Sequence, residues 1–177
     1  MTNIRLFLLL VISLALLSCG NDVKNKSRVL KNKSFSDIVV FDDWYFAKQN
    51  NKCIIFSFPF SSNGKYLNRD TNYIAINYNP SNDSNELVIV SGLEYKLNSK
   101  VRIHTNNKDF YLSTQGDKAW FFGNEDNLLQ NLVLNQNDII MFSEFADGTN
   151  SIDKYSTKGL LNAFSQLNSS CISSSFS

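Results

Sequence analysis

From residue 44 onward, apolar residues come in short runs broken by Asn, Ser, Asp, Gly and Pro. Runs of that length, bounded by turn formers, predict β-strands rather than helices. Strands are expected over 44–47 and 53–58, the second ended by Pro59, with the loop Ser61-Ser62-Asn63-Gly64 behind it. Over 73–78 the residues Ile74, Ile76 and Tyr78 share one face by the two-residue period and should point inward. A turn over 79–83 leads to a buried-type strand at 87–90, stopped by Ser91-Gly92. Val101 and Ile103 alternate with polar neighbours over 100–104. Asn106-Asn107-Lys108-Asp109 should then turn the chain into 110–112, a hairpin with a loop of about four or five residues. Further strands are expected over 119–122 and 138–145, the latter with Ile139, Met141 and Phe145 on one side and Ile140 and Phe142 on the other. Helical spacing occurs twice. Asn124 can cap a helix in which Glu125 and Asp126 complement the dipole and Leu128, Leu129, Leu132 and Val133 form one face. A second helix is expected over 156–167, through Leu160, Leu161, Phe164 and Leu167, with Cys171 just beyond its end.

The first 35 residues follow another plan. Arg5 is the only charged side chain of a leader that turns apolar from Leu6 to Leu17, the order of an export signal. That run is well short of the ~20 residues a spanning helix needs. Leu16-Leu17-Ser18-Cys19 resembles a bacterial lipobox, in which the cysteine thiol receives lipid and the chain is cut just before it. Residues 1–18 are therefore read as a lipoprotein signal peptide and Cys19 as the lipidation site. An unmodified cysteine and an uncleaved anchor are the competing readings. Gly20 rather than Asp follows the cysteine, which favours outer-membrane delivery. Residues 19–35 form the lipidated N-terminus and a polar, flexible tether, in which Lys24, Lys26, Arg28, Lys31 and Lys33 outnumber one acid, Asp22. A coil of about 15 residues spans roughly 20–25 Å, enough to lift a domain clear of headgroups, and its charges suit anionic lipid.

Residues 36–177 are the length of one domain with one core. The chain carries 17 basic and 16 acidic side chains, so nothing points to nucleic acid. Three cysteines in an exported chain leave one to explain. Giving Cys19 to lipid leaves Cys53 and Cys171, which an oxidising compartment would bridge. Two unbridged thiols are the alternative, because spacing along the chain does not say how near their Cα atoms lie.

Catalytic and metal chemistry find little support. His104 is the only histidine, so any Ser-His-Asp triad must use it. It shares a strand face with Arg102, opposite Val101 and Ile103, as a solvated residue would. One histidine and two spare cysteines do not make a closed zinc site, there is no Cys-x-x-Cys pair, and no glycine-rich phosphate loop joins a strand to a helix. Glu144, Asp147 and Asp153 lack the spacing of a calcium loop and are read as exposed acids of a polar loop. Asp42-Asp43 and Glu125-Asp126 are adjacent in sequence, which does not supply the separation that paired acids need across a sugar. Trp44, Tyr45, Trp120, Phe121 and Phe122 lie within strand runs and are read as core. No catalytic residue, metal or cofactor is expected.

A family resemblance emerges in the second half. Ser91-Gly92-Leu93-Glu94-Tyr95, Ser99-Lys100-Val101, Phe110-Tyr111-Leu112, Gly116-Asp117-Lys118-Ala119-Trp120, Gly148-Thr149 and the run from Asp153-Lys154-Tyr155 to Gly159-Leu160 occur in that order. Together they resemble the invasion-associated locus B family of exported bacterial proteins, over roughly 44–171. The resemblance implies an immunoglobulin-like β-sandwich with one or two short helices, and it implies no enzyme. The expected function is a noncatalytic, lipid-anchored envelope protein that binds a protein partner or supports envelope organisation, at the outer membrane facing the periplasm. A ligand-binding or enzymatic domain for envelope polymers and a host-cell adhesion factor are the alternatives. The resemblance concentrates on Asp147, Gly148, Thr149, Asp153, Lys154 and Tyr155, which form the expected interaction loop.

Overall fold

Turns between the apolar runs fold the chain back on itself, so every strand pairing is antiparallel. The computed structural model describes residues 37–49, 52–65, 69, 71–81, 83–121, 125–134 and 137–172. The leader, Cys19 and the tether lie outside these residues, as do Phe122, Asn124 and the side chains of Glu125 and Asp126. The strands are β1 (Asp37–Phe41), β2 (Trp44–Gln49), β3 (Lys52–Ser57), β4 (Ser61–Gly64), β5 (Tyr73–Asn79) and β6 (Ser84–Val90), followed by β7 (Lys100–Thr105), β8 (Lys108–Gln115), β9 (Lys118–Trp120), β10 (Ile139–Glu144) and β11 (Asn150–Tyr155). Helix α1 (Glu125–Val133) lies between β9 and β10, and α2 (Leu160–Leu167) runs into a π-helical turn, Asn168–Ile172. The fold is mainly β. No helix among the described residues is long and apolar enough to cross a membrane.

Hydrogen bonds join all eleven strands in the order β1-β2-β3-β5-β6-β9-β8-β7-β10-β11-β4. One connection determines the shape of this sheet. From Ser57, the end of β3, the chain reaches Ser61, the start of β4, in four steps, which span at most about 14 Å. In a flat sheet, strands at the third and last places would stand about 38 Å apart. The sheet therefore curls until its two ends meet. Trp44 Nε1–H donates to the Ser156 carbonyl at 2.9 Å, and Asp43 N–H to the Lys158 carbonyl at 3.4 Å, closing the curl. Inside it, Ile55, Ile74, Ile76 and Ile89 share one core with Val101, Ile103, Leu112 and Met141, completed by Leu128 and Leu132 of α1 and Leu160 and Leu167 of α2.

Periodicity locates the inward faces well. Ile74, Ile76 and Tyr78 are buried, and Ile139 and Met141 are buried while Ile140 and Phe142 take the opposite face. Trp44 is fully buried, and Tyr45, Trp120 and Phe121 are partly so. Elsewhere the structure differs from expectation. β1 has no counterpart among the expected strands; as an edge strand it leaves Val40 56% exposed and has little burial to announce it. Ser61–Gly64, expected as a loop, is β4: backbone pairing to β11, rather than side-chain burial, makes it a strand. The strand expected over 119–122 is represented by the short β9. The hairpin after β7 turns on Asn106 and Asn107 alone, at φ 52° and 57°. Asn tolerates that left-handed pair, so a two-residue turn suffices and Lys108 and Asp109 belong to β8. Helix α2 starts at Leu160 because Gly159 has φ 84°, which no α-helix contains. A Cβ at Gly159 would run into the Phe41 carbonyl, so glycine also lets this end of α2 approach β1. With that later start Ala163 takes a buried place and Leu161 is exposed. Cys53 on β3 and Cys171 on the π turn are bridged, with Cα atoms 6.4 Å apart across 118 positions, in keeping with the cysteine count.

Candidate functional site

The interaction loop expected over 147–155 divides in two. Asp147, Gly148 and Thr149 form an exposed turn in which Asp147 Oδ1 accepts from Thr149 N–H at 3.0 Å and from its hydroxyl at 2.6 Å. From Asn150 the chain enters β11, and strand alternation sends Lys154 outward but Asp153 and Tyr155 inward, both fully buried. Asp153 is thus not the exposed acid of a polar loop. The carboxylates of Glu144, Asp147 and Asp153 meet different partners, Lys96 at 2.6 Å, Lys65 at 3.4 Å and Arg69, and do not converge on one point. No group of metal-ligating side chains forms among the described residues.

Asp153 instead anchors a buried polar network. Its carboxylate pairs with Arg69 and accepts from Ser151 Oγ at 3.1 Å. The Arg69 guanidinium lies 5.2 Å from the centre of the Phe145 ring, on which Tyr95 stacks, and Tyr155 donates its hydroxyl to Asn72 Oδ1 at 2.8 Å. Burial pushes the Tyr95 hydroxyl up to about 12, although nearby Ser91 and Ser143 hydroxyls and the Arg69 charge act the other way. Burial, with the Asp153 charge, raises Tyr155 as well. Unfolding returns both phenols to about 10, so the unfolded chain gives up protons that the folded one keeps. Stability is therefore present below about pH 10 and lost as pH rises toward about 12. Urea unfolding compared at about pH 9 and about pH 11 should show that loss, and Tyr95→Phe should reduce it.

The accessible chemistry lies on the outer face of β8, β7, β10 and β11. The two-residue Asn turn sets a register that places His104 opposite Asp109 and Arg102 opposite Tyr111. On the other side of β7, Arg102 pairs with Phe142, which pairs in turn with Ile152 on β11. His104 Nδ1 lies 2.7 Å from Asp109 Oδ1, and Arg102 Nη1 donates to the two Asp109 oxygens at 3.4 and 3.3 Å. The bond from His104, then those from Arg102, hold the Asp109 carboxyl below its usual range. An ionised carboxylate only accepts, so the proton of this bond sits on His104 Nδ1. The Arg102 guanidinium lies 3.8 Å from the centre of the Phe142 ring, and Tyr111 is 53% exposed beside it. His104 is thus partly exposed, as its strand pattern indicates, but it also has a carboxylate partner. Such a pair orients an imidazole; the cluster as a whole offers fixed donors and acceptors next to aromatic surface. Its sequence signal is the alternation Lys100-x-Arg102-x-His104 facing Asp109-x-Tyr111, legible only once the turn length is known. No family model, curated protein or solved structure matches the chain.

Proposed function

We propose that this protein is a noncatalytic, lipid-anchored module of the bacterial cell envelope, of the invasion-associated locus B kind, held through Cys19 at the outer membrane facing the periplasm. Its β domain binds an envelope component through the outer face of β8, β7, β10 and β11. The observation that carries this reading is Arg102, fixed between Asp109, Tyr111 and Phe142 on an accessible sheet face. On this reading the domain is an immunoglobulin-like sandwich whose halves are β1-β2-β3-β5-β6 and β8-β7-β10-β11-β4, joined through the short β9. The order of family-like segments from Ser91 to Leu160 and the lipobox-like quartet support it further.

Two measurements test it. Intact mass of membrane-extracted protein should show a chain beginning at acylated Cys19; an uncleaved or unlipidated mass removes the anchor. A photo-crosslinking amino acid substituted for Tyr111 should give a discrete adduct in envelope fractions that is lost with Arg102→Ala. Absence of any adduct removes the binding role.

A further inference from the structure

We infer that β1 is a self-pairing edge, through which two copies of this chain join their sheets. β1 is the first strand of the ladder, and no described strand pairs with its far side. The register determines which groups that side presents. Only Asp42 and Asp43 separate Phe41 from its partner Trp44, so these two exchange both backbone bonds, as the ends of a two-residue hairpin do. Along an antiparallel pair such bonds recur at every second residue. Asp37, Val39 and Phe41 therefore bond to β2, while the N–H and C=O groups of Ile38 and Val40 point away from it. Another extended backbone matches that alternation of donors and acceptors, so the occupant is a strand.

The same alternation makes a second β1 the matching strand. Laid antiparallel about a two-fold axis between the two Val39 residues, Ile38 of each copy meets Val40 of the other and both pairs are hydrogen-bonded. Shifting the register either way leaves one such pair within Asp37–Phe41. The side chains agree. Ile38, Val39 and Val40 are 36%, 42% and 56% exposed, three β-branched residues in a row with none of the lysine or proline that keeps edge strands apart. The opposite edge of the ladder, β4, is Ser61-Ser62-Asn63-Gly64, with Gly64 at φ 130°, and offers β1 neither apolar contact nor a regular backbone. β1 therefore closes on β1 as a two-fold pair, instead of adding to β4 head-to-tail in an open filament. In this pair the two Asp37 residues, where the preceding chain enters, lie at opposite ends, about 14 Å apart, so neither entry crosses the other.

The test is mild oxidation of the full-length Val39→Cys protein in detergent, over a range of protein concentrations, read on a non-reducing gel. Wild type, with Cys19 in place, sets the background. In the paired register the two Cα atoms at position 39 lie about 4.5 Å apart, within disulfide reach. A covalent dimer is expected there. Asp37→Cys, which faces Phe41 of the other copy, and Lys52→Cys, exposed on β3, should stay at background. Adding Ile38→Lys and Val40→Lys to Val39→Cys sets lysine against lysine and should reduce the dimer about tenfold or more, with the urea midpoint little changed. If the lysine variant unfolds, the contrast between positions 39 and 37 decides. No dimer at position 39, equal dimer at positions 39, 37 and 52, or a dimer undiminished by the lysines overturns the self-pairing edge. Capture of position 39 by other envelope proteins alone also overturns it. The binding role of the Arg102 face is read separately, from the crosslink at position 111.

Discussion

Asp153→Ala is expected to destabilise the domain by about 3–5 kcal/mol, the usual consequence of leaving a buried charge without its partner. The Arg69 side chain is 2% exposed and that of Asp153 0%, so water does not replace the lost carboxylate. Among the described residues Nε and Nη1 of Arg69 have no hydrogen-bond partner, and its Nη2 bonds to Asp153. The nearby Phe145 ring stabilises the cation only weakly by comparison. Ser151 also loses an acceptor. For a domain of this size the melting temperature should fall by roughly 10 °C or more. The double variant Arg69→Met, Asp153→Leu should recover most of the loss, because it removes the charge along with its partner. Urea unfolding of the three proteins tests this, and a single variant within about 1 kcal/mol of wild type contradicts it.

Removing the bridge, with Cys53→Ala and Cys171→Ala together, should cost about 2–5 kcal/mol. The bond closes 118 positions of chain, so its loss frees a large unfolded ensemble. Both cysteines are buried, and the bridge joins β3 to the π turn after α2. A neighbouring tie, Lys48 Nζ to the Ser170 carbonyl at 2.9 Å, is only half-buried and is a poor substitute. Alanine avoids placing new hydroxyls in the core. A reductant should bring wild-type protein down to the variant's urea midpoint and leave the variant unchanged. Equal midpoints without reductant would mean the bridge adds nothing.

Much of the fold can be read from the chain because burial writes itself into period. Ile139-x-Met141 is a half-buried strand with its inward face spelled out, whereas Ile74-x-Ile76-x-Tyr78 marks one face of a strand on whose other face Tyr73 and Ala75 are buried as well. The edge strands cannot be read this way. β4 contains Ser61-Ser62-Asn63-Gly64 and exists through pairing to a strand almost ninety positions later. The closing of the sheet is hidden for the same reason, since it depends on long-range bonds. The site is half visible. His104 and Arg102 fall on one outward face by period alone, but the sequence pattern assigns Asp109 to a turn, and a loop two residues shorter moves it opposite His104. Asp153 misleads because a lone acid in a polar stretch looks solvated. Its partner Arg69 is 84 positions away and no local pattern links them.

β1 is the outermost strand of the ladder and the first element described along the chain. If load enters at Asp37 and is resisted at the face around Arg102, it runs across the strands, and the bonds between β1 and β2 break singly, in succession. That peeling can release chain as far as Cys53, about 55 Å of slack when fully extended. There the strand is covalently joined to Cys171, and tension divides between β3 and the π turn. Mechanically the domain is a short extensible leash with a covalent stop, and that stop comes before the strands that carry Arg102, His104 and Asp109.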